Sequence, residues 1–329
     1  MPEPIAALRE ALKAADTVLL TGPMDPDGDS IGACLALARA TGLFSDATVH
    51  VAGEANYRYS WMPDAESLRN DAQLSDAYDM VVVMDGDRGR LTPRVTELFE
   101  SAGTTVLVDH HQSSSEEGYD IVLLNPKSPS TCEMVFEVFS DWGIEMNREM
   151  ATHLYTGIIF DTGGFKHENT QPETHRLAAQ LLDHGVKPAP VHAKVLHERT
   201  AAGLRLLGEV LGGARFFGDG QVVVGLMTQE AMQRLGIQSG DAEGVVDALL
   251  NTAGVEVAVL AKEASGAVKL SFRSKSRVNV AAIARDFANG GGHVRAAGGR
   301  FVGTSAELLA RLPPILVEAA ERESAPAVG

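Results

Sequence analysis

The segment Asp25-Pro26-Asp27-Gly28-Asp29-Ser30 puts three carboxylates within five residues. Like charges held that close repel one another unless a cation neutralises them. The same residue types also build turns and helix N-caps, so this segment alone supports either reading equally. Other acids close other apolar runs. Asp85 ends MVVVMD, Asp109 ends TVLVD and precedes His110-His111, and Asp161 follows YTGIIF. One Asp at a strand end is commonly a loop starter; four such positions, one with a His pair, make a much rarer coincidence. In an open parallel sheet the carboxyl ends of the strands face one crevice. Asp27, Asp29, Asp85 and Asp161 together carry four negative charges, which two divalent cations would balance. Mixed carboxylate and imidazole ligation suits Mn²⁺, with Mg²⁺, Fe²⁺ and Co²⁺ as alternatives and thiolate-preferring metals disfavoured. Two such ions ~3.5–4 Å apart stabilise both the attacking and the leaving oxygen at phosphorus.

The elements that must carry these acids are legible as alternating strands and helices. Thr17–Thr21, Thr48–Ala52, Met80–Asp85 and Thr105–Asp109 are continuous apolar runs, the pattern of strands buried on both faces of a parallel sheet. Ile31–Ala40, Thr92–Ser101 and Thr131–Trp142 read as crossover helices, and a further helix starts after Asn147, an N-cap, and runs to about Phe160. Ser130-Thr131 are an N-cap or phosphate donors in equal measure. Arg88 and Arg90 lie near enough in sequence to reach a phosphate; Phe165 and His167 are candidates for stacking on a base, with a core Phe the equal alternative. A charge-mixed helical stretch over 191–212, after Pro188 and Pro190 and before Gly212-Gly213, reads as a linker. It separates a domain over 1–190 from a second over 213–325. The second restarts with strands at Gln221–Leu226, Val255–Lys262 and Val268–Arg273 and a helix near Ala281–Ala288.

Composition bounds the partners. With 329 residues and 45% hydrophobic content the chain can form two cored domains. Its 28 Lys and Arg stand against 44 Asp and Glu, a net charge of −16, which disfavours a general polyanion coat. No apolar run approaches the ~18 residues of a membrane span, and the start MPEPIAALREALKAAD lacks a secretion-signal layout. Cys34 and Cys132 are too few for a disulfide framework. The expectation is a soluble cytoplasmic protein. One segment breaks the acidity: Lys269–Arg300 holds seven Lys and Arg against Asp286 alone, so it is +6 and the remainder −22. Inside it lie Arg273-Ser274 and Gly290-Gly291-Gly292-His293. A glycine run admits an anion to backbone N–H groups, although alone it reads as a flexible loop.

In order and spacing, DPDGDSIGA, MVVVMDGDRGRL, VDHHQS and YTGIIFDTGGF resemble the four motifs of the DHH phosphoesterase superfamily. GGGHVRAAGG resembles the GGGH motif of its associated C-terminal domain, with Asn289 where a further glycine is often found. The combination is similar to the nanoRNase and pAp phosphatase (NrnA-like) branch. That resemblance implies an α/β fold of two domains, a parallel-sheet DHH domain and a smaller α/β substrate-binding domain, with the active site in the cleft between them. It implies Asp27 on one metal, Asp29 on the other and Asp85 bridging, with His110 and Asp161 completing the second metal's ligand set. His111 would face the substrate phosphate and Asp109 would support the histidines. Arg273, Ser274, Gly290, Gly291, Gly292 and His293 would hold the nucleotide end. Implied activity is Mn²⁺-dependent hydrolysis of short oligoribonucleotides or linear dinucleotides, and of pAp to AMP, by a two-metal-activated hydroxide. Partners would be short RNA or nucleotides, with no long nucleic acid and no membrane; a homodimer stays open. One departure stands out: the family's usual first-motif histidine is Pro23 here. Proline cannot ligate, so a weaker or differently selective first site is expected. A cyclic-dinucleotide phosphodiesterase and a non-catalytic nucleotide sensor remain the alternatives.

Overall fold

The computed structural model describes residues 3–275 and 278–324. The chain divides into two compact units, Met1–Glu198 and Arg199–Gly329. The boundary therefore falls inside the stretch read as a linker.

In the first unit the strands are β1 (Thr17–Thr21), β2 (Thr48–Ala52), β3 (Leu68–Arg69), β4 (Met80–Met84), β5 (Thr104–Asp109) and β6 (Ile121–Leu124). Its helices are α1 (Glu3–Ala14), α2 (Gly28–Thr41), α3 (Pro93–Ser101), α4 (Thr131–Trp142), α5 (Arg148–Asp161), α6 (Pro172–Asp183) and α7 (Pro188–His192). The strands form one parallel sheet in the order β3-β2-β1-β4-β5-β6. Both faces are covered, which explains the unbroken apolar runs. Val18, Leu20, Val82 and Val106 pack with residues of α1, α2, α4 and α5, while Leu19, Val81 and Val83 pack with Val95, Leu98 and Phe99 of α3. Each fully buried Val or Leu contributes ~1.5–3 kcal/mol of transfer free energy to this arrangement. Strand order reverses between β1 and β4, and such a switch point opens a crevice at the carboxyl ends of the strands. The acids of the first and second motifs follow those two strands directly.

In the second unit the strands are β7 (Arg215–Phe217), β8 (Val222–Met227), β9 (Val257–Ala264), β10 (Ala267–Ser274), β11 (Gly291–His293) and β12 (Ala296–Val302). The helices are α8 (Ala201–Gly212), α9 (Gln229–Leu235), α10 (Val245–Leu250), α11 (Val280–Ala288) and α12 (Ser305–Ser324). Sheet order is β11-β12-β10-β9-β8-β7, with only β8 and β9 parallel. Residues of α11 and α12 pack on one face, and those of α8 and α10 on the β8–β9 half of the other. The segment read as linker is thus shared out: residues 193–197 form a π-turn after α7, and α8 packs into the second unit. Among the described residues no helix is long and apolar enough to cross a membrane.

Candidate metal centre

Asp27 caps α2, accepting the N–H of Asp29 at 2.9 Å and of Ser30 at 3.2 Å, while its own N–H donates to Ser30 Oγ. The cap reading of this segment is therefore correct, and it is also what aims Asp29. One step into the helix, Asp29 is fully buried. Its carboxylate accepts the N–H of Thr131 at 2.6 Å and of Cys132 at 2.9 Å, the open amino end of α4. Orphan N–H groups and the helix dipole both favour a negative charge there. Ser130 caps α4 through the N–H of Glu133, and Thr131 Oγ1 lies 3.4 Å from Asp85 Oδ1.

Asp85 leaves β4 in the left-handed region at φ 61, while its N–H continues the ladder to the Val108 carbonyl. A non-glycine residue there is strained, and strain of this kind gathers at functional sites. Asp109 ends β5 and acts as a clamp. It accepts the backbone N–H of His110 (2.7 Å) and of His111 (3.1 Å), His111 Nδ1 (2.8 Å) and the Ser114 hydroxyl. Burial would raise its pKa, but the bonds from His111 and Ser114 outweigh that and hold it below the usual value.

The ring of His110 is equally defined. His110 Nδ1 lies 3.2 Å from the Ser128 carbonyl, which only accepts, so Nδ1 carries the hydrogen and Nε2 faces the acids. Nε2 is 3.0 Å from Asp161 Oδ2, 3.4 Å from Asp85 Oδ1 and 4.0 Å from Asp29 Oδ2. Asp161 arrives from the carboxyl end of α5 rather than from a strand, where the helix dipole disfavours a carboxylate. Its carbonyl accepts from His167 Nδ1 and Asn169 Nδ2.

One ligand atom from each of Asp29, Asp85, His110 and Asp161 falls within 4.8 Å of every other. Burial, then repulsion from Asp161, pushes both Asp27 and Asp29 up to about 6. Burial and then Asp27 push Asp85 well above the usual range. Burial lowers His110, but Asp161 and Asp85 override it and leave it well above the usual value. Three carboxylates and an imidazole that share this space fit a divalent cation, whose charge removes that repulsion. Pro23 is buried and Asp25 exposed; neither Asp25 nor Asp27 belongs to this cluster of four.

The other sequence candidates divide. Arg88 and Arg90 are exposed in a turn that Asp87 caps through the Gly89 N–H. Phe165 packs against the core with its ring 4.9 Å from that of His175, which favours the core reading. In the second unit Arg273 and His293 both lie opposite Ala296, on one face of the sheet. Arg273 Nε is 3.4 Å from Asp247. Ser274 turns to the buried face, and its hydroxyl donates to the Val278 carbonyl at 2.8 Å. A Cβ on Gly290 would sit 1.9 Å from the Gly298 carbonyl, and one on Gly292 2.6 Å from that of Ala296. Those two glycines let β11 lie against β12, and Asn289 takes the left-handed cap of α11 at φ 44, a role Asn shares with Gly.

Sequence reasoning missed the supports: the amino end of α4 on Asp29, the Ser128 carbonyl, Ser114 and Asn169. Only the Ser130-x-x-Glu133 pattern hinted at the first.

A doubly wound parallel sheet with an Asp–His cluster at its switch point, followed by a glycine-rich mixed-sheet unit, defines the class. Residues 17–158 match the DHH family, N-terminal domain, and residues 219–315 the DHHA1 domain; the chain belongs to the DHH phosphoesterase family. Within it the chain is 30% identical over 303 residues to the bifunctional oligoribonuclease and PAP phosphatase NrnA of Thermus thermophilus, covering 92% of this chain and 89% of that protein. The Bacillus subtilis protein of the same name is 24% identical, with 86% and 88% covered. Among solved structures, an exopolyphosphatase-related protein from Bacteroides fragilis superposes with a TM-score of 0.85 at 26% identity, covering 98% and 96%.

Proposed function

We propose that this protein is a Mn²⁺-dependent phosphoesterase that cuts very short oligoribonucleotides and linear dinucleotides to mononucleotides and removes the 3′-phosphate of pAp. The observation that carries this reading is the convergence of Asp29, Asp85, His110 and Asp161 at the switch point. The names of the full-length relatives supply the substrate class.

On this reading Asp29, Asp85, His110 and Asp161 would hold one ion, and Asp27 with Asp85 would hold a second. When bound, the ions supply charge neutralisation at phosphorus and acidify water. The rest is done by the chain. Thr131 and Cys132 fix Asp29 through their N–H groups. Asp109 locks the His111 ring with Nδ1–H toward itself, so Nε2 is the atom offered to the substrate phosphate or its leaving oxygen. Arg273, Gly291 and His293 hold the nucleotide's terminal phosphate or base, while Gly290, Gly292 and Ser274 shape that surface. We place this activity in the cytoplasm.

The test is incubation with Mn²⁺ and a panel of di- to pentaribonucleotides, pAp, cyclic dinucleotides and pyrophosphate. Turnover of dinucleotides and pAp that Asp85→Ala abolishes is the expected result. Preferential turnover of cyclic dinucleotides, or binding of every member without turnover, would replace this reading with a cyclic-dinucleotide phosphodiesterase or a sensor.

A further inference from the structure

Just after Asp161 the backbone enters a left-handed run: Gly163 (φ 58), Gly164 (φ 71) and Phe165 (φ 68). L-residues visit this region singly, because Cβ crowds the following carbonyl oxygen. At two of the three positions a side chain would collide. A Cβ at 163 would lie 2.4 Å from His167 Nε2, and one at 164 would lie 2.8 Å from Leu196 Cδ1. Phe165 is the exception. The other described non-glycine residues at positive φ are Asp64, Asp85, Asp219 and Asn289, whose short polar side chains tolerate it. A bulky residue there is an outlier, and outliers persist where the surroundings over-determine them. Here three helices do so. The half-buried Phe165 ring has its centroid 4.9 Å from that of His175 on α6, 6.4 Å from Tyr155 on α5 and 6.3 Å from His192 on α7.

The turn brings the chain back to Asp161. Gly164 N–H donates to the Ile159 carbonyl at 2.8 Å, and the N–H groups of Lys166 and His167 both donate to the Thr162 carbonyl at 3.0 Å. The reversal places His167 Nδ1 3.1 Å and Asn169 Nδ2 3.2 Å from the Asp161 carbonyl, and Asn169 Nδ2 also donates to the Pro129 carbonyl ahead of α4. A right-handed continuation would lengthen α5 beyond 161 and carry residues 167 and 169 away along its axis. We propose that Phe165 is a positioning residue. Its ring, wedged between α5, α6 and α7, offsets the strain of its own backbone and keeps the left-handed turn wound. The wound turn aims the Asp161 carboxylate at His110 Nε2, 3.0 Å away, and at the ion that the two would share. Phe165 touches no substrate in this role, which rests on the metal reading above and deepens it.

The test uses the full chain with Phe165→Ala, Phe165→Gly and Asp161→Ala, read by Mn²⁺ titration calorimetry and by melting in chelator, so that no turnover is needed. Both Phe165 variants lose the same ring contacts, and both should melt below wild type. They differ in backbone. Alanine is disfavoured in the left-handed region by a factor of about 5–30, and apparent affinity falls with the fraction of molecules whose turn is wound. Phe165→Ala should therefore bind its tighter Mn²⁺ about 5–30-fold more weakly. Glycine carries no such penalty, so Phe165→Gly should stay within about threefold of wild type. A ring that only filled the core would not give this order, because glycine is ordinarily the more disruptive of the two. Wild-type affinity in Phe165→Ala, or equal losses in both variants, would overturn the positioning role alone. Unchanged affinity in Asp161→Ala would sink the metal reading, and the positioning role with it.

Discussion

Gly157 is the point where α5 passes Asp29, and adding one methyl group there tests the whole account of the metal centre. A Cβ at 157 would lie 2.4 Å from Asp29 Oδ1, 2.3 Å from Cys132 Sγ and 2.9 Å from Asp29 Cα. Ordinary contact begins at 3.4 Å, so the carboxylate must retreat by about 1 Å, a misplacement that can cost ~10²-fold in rate. It has no free rotation to absorb this, because Thr131 and Cys132 hold both of its oxygens. Gly157→Ala should therefore pull α2 and α5 apart at an overpacking cost of ~1–3 kcal/mol. Divalent-metal affinity should drop ~10–100-fold, the range seen when a ligand loses its supporting contacts. The assays are Mn²⁺ titration calorimetry, thermal melting with and without chelator, and dinucleotide hydrolysis. Gly208→Ala is the matched control. It sits on the exposed face of α8, where an added Cβ meets nothing within 4 Å, and should be neutral or stabilise by ~0.4–1 kcal/mol. Wild-type metal affinity and melting temperature in Gly157→Ala would refute the claim that Asp29 is held rigidly against α5.

Three further outcomes are expected. Metal-free protein should lose stability as pH rises. The raised pKa values of Asp27 and Asp29 leave their contribution intact below the ordinary Asp value near ~3.9 and remove it through about 6, as their charges develop in the cluster. Asp109, held below the usual value, works the other way and is lost on acidification. Melting from pH 4 to 8 with chelator, then with Mn²⁺, should show the metal's stabilisation largest above pH 6. Asp109→Asn keeps acceptor geometry but removes the charge behind His111, so kcat should fall ~10–100-fold with KM and metal affinity nearly unchanged; a parallel loss of metal affinity would mean the clamp carries ligation instead. Calorimetry should resolve one tight and one weaker Mn²⁺ site because Pro23 offers no imidazole, and two equally tight sites would contradict that.

Much of this was readable in the sequence because each strand feeding the crevice is buried on both faces and so appears as an unbroken apolar run. The acid that ends the run then marks the crevice: Asp85 and Asp109 are legible for that reason. Asp161 was found by the same rule for a different cause. Residues 153–159 of α5 are all buried, and a helix enclosed on every side loses the one-sided pattern that separates it from a strand. What stayed hidden were pairings across long chain separations. Thr131 and Cys132 reach Asp29 over about a hundred residues, and no local pattern says which carboxylate a helix end will meet. The face that Ser274 takes stayed hidden as well, because register, which sequence does not reveal at a strand end, decides it.

Asp29 belongs to two helices at once, its backbone in the first turn of α2 and its carboxylate closing the amino end of α4. A ligand anchored this way has its place whether or not an ion is present. On the proposed metal reading, the centre would empty and refill without the fold being rebuilt, and the ion it took would follow the supply of divalent ions. Growth conditions that change the balance of available divalent ions would then change this enzyme's working metal, and its rate, with no new protein made.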